Sequence, residues 1–570
     1  MHNHDHHDLI PNDLSSGEFE RSPVPANSRR GFANFLGWFT GEHCSGRELM
    51  IGPLFVAAGV GAFDLLVGLL VGNLLAVLSW TLMTAPIATK VRLTLYFHLE
   101  RICGRHLVTL YNLANGVMFC LLAGSMITIT ASAVGAGFNL PMPRLIDFYP
   151  AGVPWIATVA ILGILISIVA AGGYRAVAKI ANIASPFLVL MFLVFGFVGL
   201  TKFAAITNTD LTSPTELWAL ASNRIWTGDA PLPGRVKFTF LHVVCFAWFA
   251  NMALHIGMND LTVLRYARRT WHGLASGAGV FVGHYLLWIS AGILFSLQLQ
   301  TSHPDEYLVG LLFDNSETFA ETSREEIAAL PLSTDLIREG MEIENAMIKA
   351  GELYPNQKHV APPAPLPGLI AKNACGIMGV ICVIIAGWTA ANPLIYRAGL
   401  AFHAITPRSS RFVITIISGL LSTAVAMYPG LSMRLLEIIA VYGLVLMPMG
   451  AIIFVDFWLF PRIGLKRFYA ETAHISFNIS AALTWVLTGT VCWFLVCATW
   501  LMNNLIRTGQ MSFSPQTQEL IRDYITIEIY FVAIPGWFFA AFLYTIFSLI
   551  FQHRDRTEKR LSAPIVDVPT

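Results

Sequence analysis

From about residue 33 onward the chain is a succession of apolar runs, each roughly as long as a bilayer is thick. A spanning α-helix needs about 20 mostly apolar residues. Twelve such runs can be read, at approximately 33–57, 62–85, 107–134, 153–171, 184–206, 236–258, 272–298, 368–396, 411–428, 432–460, 476–502 and 523–551. Their glycines and prolines are tolerable, because neighbouring helices re-satisfy freed backbone groups. Residues 49–88 are almost unbroken apolar sequence and would supply two helices by themselves, leaving Glu42 to Glu48 outside the membrane; either reading gives twelve spans. Charged residues make up 12% of the 570, against about 25% in soluble domains. That excludes an ordinary soluble enzyme, a disordered chain and a nucleic-acid-binding domain. The polar start of the chain lacks the apolar core of a signal peptide.

The positive-inside rule sets the orientation. With the N-terminus in the cytoplasm, 22 of the 36 Lys and Arg fall on the cytoplasmic side, Arg397 among them, and every connection there is basic. A multi-pass protein of the cell membrane with both termini cytoplasmic is expected. Its parts are a polar His-rich tail (1–32), spans 1–5 (33–206), an external loop (207–235), spans 6–10 (236–460), spans 11–12 (461–551) and a tail (552–570). Within the second set, the external loop 301–366 carries 12 Asp and Glu against 4 Lys and Arg. Its Ser316–Glu352 stretch reads as helical and runs into a stiff Pro-rich spacer at 361–367. A solvated cap and a gate over a vestibule both fit. His2, His4, His6 and His7 offer incidental metal affinity outside the membrane. No metal site is expected, and the eight cysteines, without a Cys-x-x-Cys, read as small buried hydrophobes.

Ionisable groups inside a bilayer are costly and mark functional candidates. Span 1 holds the densest set, from Trp38 through Gly41, Glu42, Ser45 and Arg47 to Glu48. The small residues favour a broken helix, whose free ends are able to coordinate a cation and a polar solute. Glu42 and Glu48 are possible proton carriers, and Arg47 would neutralise one of them; a cytoplasmic lead-in is the other reading. In span 6, Trp248, Asn251, His255, Asn259 and Asp260 cluster among small residues. Span 8 carries Thr389, Asn392 and Pro393, with Asn392 either a hydrogen-bonding group of a site or a helix-packing group. Span 3 offers Asn112, Asn115 and Phe119.

Four stretches together resemble the nucleobase:cation symporter-1 family, the purine/cytosine permeases and their hydantoin and allantoin relatives. They are Trp38, Gly41, Ser45 and Gly52 in span 1; Asn259-Asp260 followed by Arg265-Tyr266-Ala267; Ala390-Ala391-Asn392 with Thr406-Pro407-Arg408; and Pro448 with Asp456-Phe457. The resemblance covers about 33–550. It implies an all-α membrane protein of twelve transmembrane helices with the leucine-transporter-like fold. Spans 1–5 and 6–10 would be inverted repeats, spans 1 and 6 would be broken, and two helices would be peripheral. It implies a substrate site of Glu42, Phe119, Trp248, Asn251 and Asn392, with Trp248 stacking on a flat ring. It also implies a cation-coupling site of Gly41, Glu42, Ser45 and Thr389. The family's helix-3 Trp and Gln are not evident, and Ala386-Gly387 stand where some members have the Ser-Thr pair of a sodium site. The expected activity is therefore symport of a small planar nitrogen heterocycle such as a nucleobase, with H+ or Na+ as coupling ion and no other cofactor. The expected partners are that small-molecule substrate and the lipid bilayer, with no nucleic acid. Transport of an amino acid or amine on the same fold, or a transporter-derived sensor without flux, are the alternatives. No Gly-x-Ser-x-Gly, His-Glu-x-x-His or phosphate loop argues for an enzyme.

Overall fold

The structure, a computed structural model, describes residues 19–143, 149–150, 152–229, 237–319, 321–354, 360, 366–507, 514, 516–517 and 529–561. The tail histidines and most of the Pro-rich spacer lie outside the described residues. Among those residues nine helices are long and apolar enough to cross a membrane, and three shorter apolar helices complete the set. The chain is a multi-span membrane protein without named strands among the described residues.

Span 1 consists of two half-helices, Phe32–His43 and Glu48–Ala57. Spans 2 to 5 are Ala62–Val91, Arg105–Phe138, Val153–Ala171 and Gly173–Ile206. Span 6 begins with the half-helix Phe240–Phe249 and continues as turns to the short helix Leu261–Leu264. Span 7 is Thr270–Thr301, span 8 Pro367–Ile405, span 9 Arg411–Ala426 and span 10 Leu435–Phe454 continued to Ile463. Spans 11 and 12 are Ile479–Arg507 and Ile529–Leu561. Span 8 runs well past the expected boundary at 396, because Ala398, Leu400 and Ala401 keep its apolar face buried. That corrects the placement of Arg397, which lies within the span and is fully buried rather than in a cytoplasmic connection.

The two sets of five spans use the same packing pairs. Gly41 of span 1 faces span 5, where an added Cβ would stand 2.7 Å from that of Ala181. Gly450 of span 10 faces span 6, with the carbonyl of Ile256 at 2.0 Å from such a Cβ. Gly279 and Gly283 of span 7 lie against the carbonyls of Phe39 and His43 in the first half of span 1. Gly68 and Gly72 of span 2 lie against Val243 and the carbonyl of Val244 in the first half of span 6. Both contacts use a Gly-x-x-x-Gly spacing, which lets helix backbones approach where lipid offers no hydrophobic drive for association. Spans 3 and 8 run together through the centre, with spans 4 and 9 outside them.

The acidic loop folds into helices Glu306–Asn315, Arg324–Ala329 and Thr334–Ala350, capped by Asp305, Ser323 and Ser333. Leu308, Leu312, Ile327, Leu336 and Ile337 share one apolar core with Ala57 of span 1 and Phe295 and Leu299 of span 7. The loop therefore packs on the ends of two spans, against Ala57, Phe295 and Leu299. Buried Glu344 ties it internally, accepting from the Tyr307 hydroxyl at 2.9 Å and the Val360 amide at 3.0 Å.

The glycine contacts give a direct test. In Gly52→Ala the new Cβ would lie 2.4 Å from the Trp288 carbonyl, whereas at Gly489 nothing lies within 4 Å. Gly52→Ala is expected to destabilise the protein by about 1–3 kcal/mol and Gly489→Ala to leave it unchanged, read as melting temperature in detergent. Equal melting of the two variants would contradict the packing.

Candidate functional site

A break in a spanning helix frees backbone polar groups that no water reaches, so each must find another partner. In span 6 the side chains supply them. A ring nitrogen of His255 pairs with the Trp248 carbonyl at 3.0 Å, and Asn259 Nδ2 donates to the Ala253 carbonyl at 3.0 Å. The Thr84 hydroxyl donates to the His255 carbonyl at 2.5 Å and the Trp537 indole to that of Ile256 at 3.0 Å. Met258 turns the chain at φ 64°. In span 1 the break falls at 44–47. Glu48 opens the second half-helix, where a negative charge suits the positive end of the helix dipole. Its carboxylate accepts from Ser45 Oγ at 3.0 Å, Arg47 Nε at 2.7 Å and Trp288 Nε1 at 2.6 Å. Gly46 sits against Ile129 of span 3 and Val383 of span 8.

The two breaks flank a narrow cavity of about 40 Å³. Its polar lining comes from Glu42, Arg47 and Asn251, and its rings from Phe119, Phe249 and Tyr442. Phe119 meets Tyr442 edge-on at 5.3 Å. Beside it Asn115 Nδ2 donates to Asn259 Oδ1 at 3.3 Å, and Asn259 Nδ2 donates to the Tyr442 hydroxyl at 3.3 Å. Asn251 bonds through its amide nitrogen to His284, whose ring stacks on Trp288 at 4.5 Å.

A buried ion cluster adjoins the cavity. The Arg397 guanidinium donates to both carboxylate oxygens of Glu42, with Nη2 to Oε2 at 3.1 Å, and to Asp260 Oδ1 at 2.5 Å. Trp38 Nε1 donates to Glu42 at 3.1 Å and Trp80 Nε1 to Asp260 at 2.7 Å. One cation thus joins spans 1, 6 and 8, while two indoles take up remaining carboxylate lone pairs. The first half of span 1 runs from this cluster to the basic face of the molecule. There the Arg30 amide donates to the Tyr266 carbonyl at 2.7 Å and Arg92 Nη1 to the Arg265 and Ala267 carbonyls at 2.9 Å each.

Of the residues expected in the site, Glu42, Phe119 and Asn251 line one cavity. Trp248 does not line it: its indole donates to Ser79 of span 2 at 3.0 Å and its ring borders a separate apolar groove. Asn392 is buried between spans, where its amide is placed to donate to the Ile166 carbonyl at 3.1 Å and to accept from the Trp388 indole at 3.3 Å. Of the expected cation-coupling residues, Gly41 packs on span 5, Glu42 pairs with Arg397 and Ser45 donates to Glu48. Thr389 donates to the Ile385 carbonyl of its own helix at 3.0 Å. Among the described residues no group of three or more His, Cys, Asp or Glu could hold a metal ion. Arg397 and Tyr442 escaped the sequence reading. The signal for Arg397 was the apolar run continuing past it to Ala401; Tyr442 carried none.

No family model matches the chain, and no curated protein matches it in sequence. Solved structures do. Mhp1, a nucleobase-cation-symport-1 family transporter, in a closed conformation with bromovinylhydantoin bound, superposes with a TM-score of 0.54 at 13% identity, over 92% of this chain and 93% of that one. The inward-facing conformation of Mhp1 gives 0.50 at 13% identity over 92% of each chain. A substrate-bound, outward-open Na+-coupled sialic acid symporter gives 0.49 at 14% identity over 94% of this chain and 92% of that one. The chain has the leucine-transporter-like fold. Its spans 1 and 6 are the broken pair of that architecture, and the reciprocal glycine contacts are its two-fold repeat seen at the residue level.

The ion cluster predicts an order of effects. Arg397→Met would strand two buried carboxylates and is expected to cost about 3–5 kcal/mol. Glu42→Gln leaves the Arg397–Asp260 pair in place and should cost less. Melting of the purified variants ranks them, and the reverse order would show that Arg397 is not the hub.

Proposed function

We propose that the protein is a secondary active transporter, a symporter that imports a small planar nitrogen heterocycle by alternating access. Purine or pyrimidine nucleobases, hydantoin, allantoin or a related vitamin fit this class. The drive is a proton or sodium gradient. The observation that carries the reading is the cavity between the two broken spans, which combines aromatic faces with an amide and a carboxylate. Flat π systems suit the rings of Phe119 and Tyr442. The ring nitrogens and carbonyls of a heterocycle suit the donors and acceptors of Asn251 and Glu42.

The resemblance of four sequence stretches to the nucleobase:cation symporter-1 family supports the same cargo class, as does the hydantoin bound to a protein of the same fold. At about 40 Å³ the cavity has room for a few waters, so admitting substrate requires its walls to part. The Arg397 cluster holds spans 1, 6 and 8 together on the basic side of the cavity. In this proposal the basic face is cytoplasmic, and separation of that cluster opens the inward path. Glu42 sits where a coupled proton would act on both the cavity and the cluster.

Uptake into proteoliposomes tests the reading, with labelled cytosine, uracil, adenine, hypoxanthine, allantoin, hydantoin and thiamine under an imposed sodium or proton gradient. Accumulation of one compound under one gradient is expected. Losing one stacking or hydrogen-bonding partner is worth about 1.4 kcal/mol, so Phe119→Ala and Asn251→Ala should each raise the apparent KM about ten-fold. Trp248→Ala should leave it near the wild-type value. Failure of the folded protein to move any compound, or a Trp248 effect exceeding that of Phe119, would overturn the assignment.

A further inference from the structure

Outside the central cavity, spans 2 and 10 end together at the basic face. A cavity of about 550 Å³ opens there, lined by Lys90, Arg101, Arg462 and Arg467 with Phe457 and Trp458. Four cations surround it. Arg101 is paired with Glu471 at 2.7 Å, and Arg467 stands 3.8 Å from buried Asp456. Among the described residues no carboxylate is in ion-pair contact with Lys90 or Arg462, so the rim keeps an excess of two positive charges. Lys90 Nζ lies 5.6 Å and 5.5 Å from the ring centroids of Phe457 and Trp458, and the Arg462 guanidinium 5.7 Å from that of Trp458. The buried indole N–H of Trp458 has no hydrogen-bond acceptor. An excess of cations around one opening suits a ligand rich in anionic oxygen.

A second observation identifies the kind of ligand. The same two spans border a groove of about 440 Å³ that presents no polar surface. Met83, Phe454, Leu459, Trp537 and Phe542 line it. Met83 precedes Lys90 by seven residues, about 10 Å along a helix, and Leu459 of the groove follows Trp458 of the basic cavity in span 10, so the two openings are neighbours along the same pair of spans. Phe538 and Phe542 on its border are 58% and 61% exposed, which in a spanning helix places them toward lipid. Phosphate-sized charge recognition next to an acyl-sized slot, at interfacial depth, matches the arrangement by which basic pockets between spans take lipid headgroups.

We propose that this composite site binds one anionic phospholipid. Its phosphate would lie between Lys90 and Arg462, and one acyl chain would lie along the groove between spans 2, 10 and 12. The site is separate from the central cavity and does not depend on which solute is carried. Because span 2 also holds the first half of span 6 through Gly68 and Gly72, an occupied site would brace the frame against which that half-helix moves.

Native mass spectrometry of the full purified chain tests this, with equimolar dioleoylphosphatidylglycerol and dioleoylphosphatidylcholine in the detergent. Preferential retention of the glycerol lipid is expected. The double substitution Lys90→Gln/Arg462→Gln should reduce that preference by about five-fold for each charge removed. Arg175→Gln/Lys179→Gln removes two exposed cations from another basic connection and should leave it unchanged. Phe542→Glu, on an exposed groove position with the cations intact, should lower lipid retention but not the binding of radiolabelled inorganic phosphate in equilibrium dialysis. Equal retention of the two lipids, or an equal effect of the Arg175/Lys179 pair, would overturn the proposal. Tight phosphate binding without lipid discrimination would also overturn it, by assigning the cavity to a soluble phosphate.

Discussion

In the middle of a bilayer, a backbone amide or carbonyl released from a helix must find its partner in the protein or in a cavity the protein encloses. This constraint organises the molecule. Spans 1 and 6 are both interrupted, and around each interruption stands a set of side chains whose position is explained by the groups they satisfy. His255, Asn259, Thr84 and Trp537 answer the carbonyls of span 6. Ser45, Arg47 and Trp288 converge on Glu48 in span 1. The cavity lies between the two interruptions, bordered by residues of both.

The Arg397 cluster adds a different kind of constraint. A buried ion pair adds little net stability, because desolvation offsets much of its Coulombic gain, but removing one partner is strongly destabilising. Its worth lies in geometry. A planar guanidinium that answers carboxylates from two broken helices permits few arrangements of spans 1, 6 and 8. Each permitted arrangement is therefore distinct, as the proposed alternation between an open and a closed face requires.

Much of this architecture was legible in the sequence. Twelve apolar runs outline the spans, and the small and charged residues at 41–48 fit either a break in span 1 or a cytoplasmic lead-in, of which the structure has the break. The side-chain directions were not legible. Trp248 and Asn251 are three residues apart, yet one donates to span 2 and the other borders the cavity, because the helix ends between them at Phe249. Asn392 sits in span 8 just before Pro393, and its amide is placed toward the Ile166 carbonyl of span 4, which no local pattern reports. Arg397 was assigned to a basic connection because its charge outweighed the apolar residues that follow it. Glu42, Phe119 and Asn251 border one cavity; their part in a site rests on the family resemblance and on the cost of polar groups inside a membrane.

The distance between Glu42 and its counter-ion has a consequence for biosynthesis. The two residues are 355 positions apart in the chain. At about 5–20 residues per second of synthesis, the carboxylate waits roughly 20–70 s before the arginine that neutralises it has even been made. Asp260 waits through 137 residues for the same partner. Span 1 therefore enters the membrane in a form that cannot yet hold its mature position, with its charged stretch kept near the aqueous boundary or shielded by the insertion machinery. Final seating of the broken helices is a late event that begins only when span 8 emerges, and a ribosome stalled before that point would leave a chain whose most charged segment has nowhere to settle.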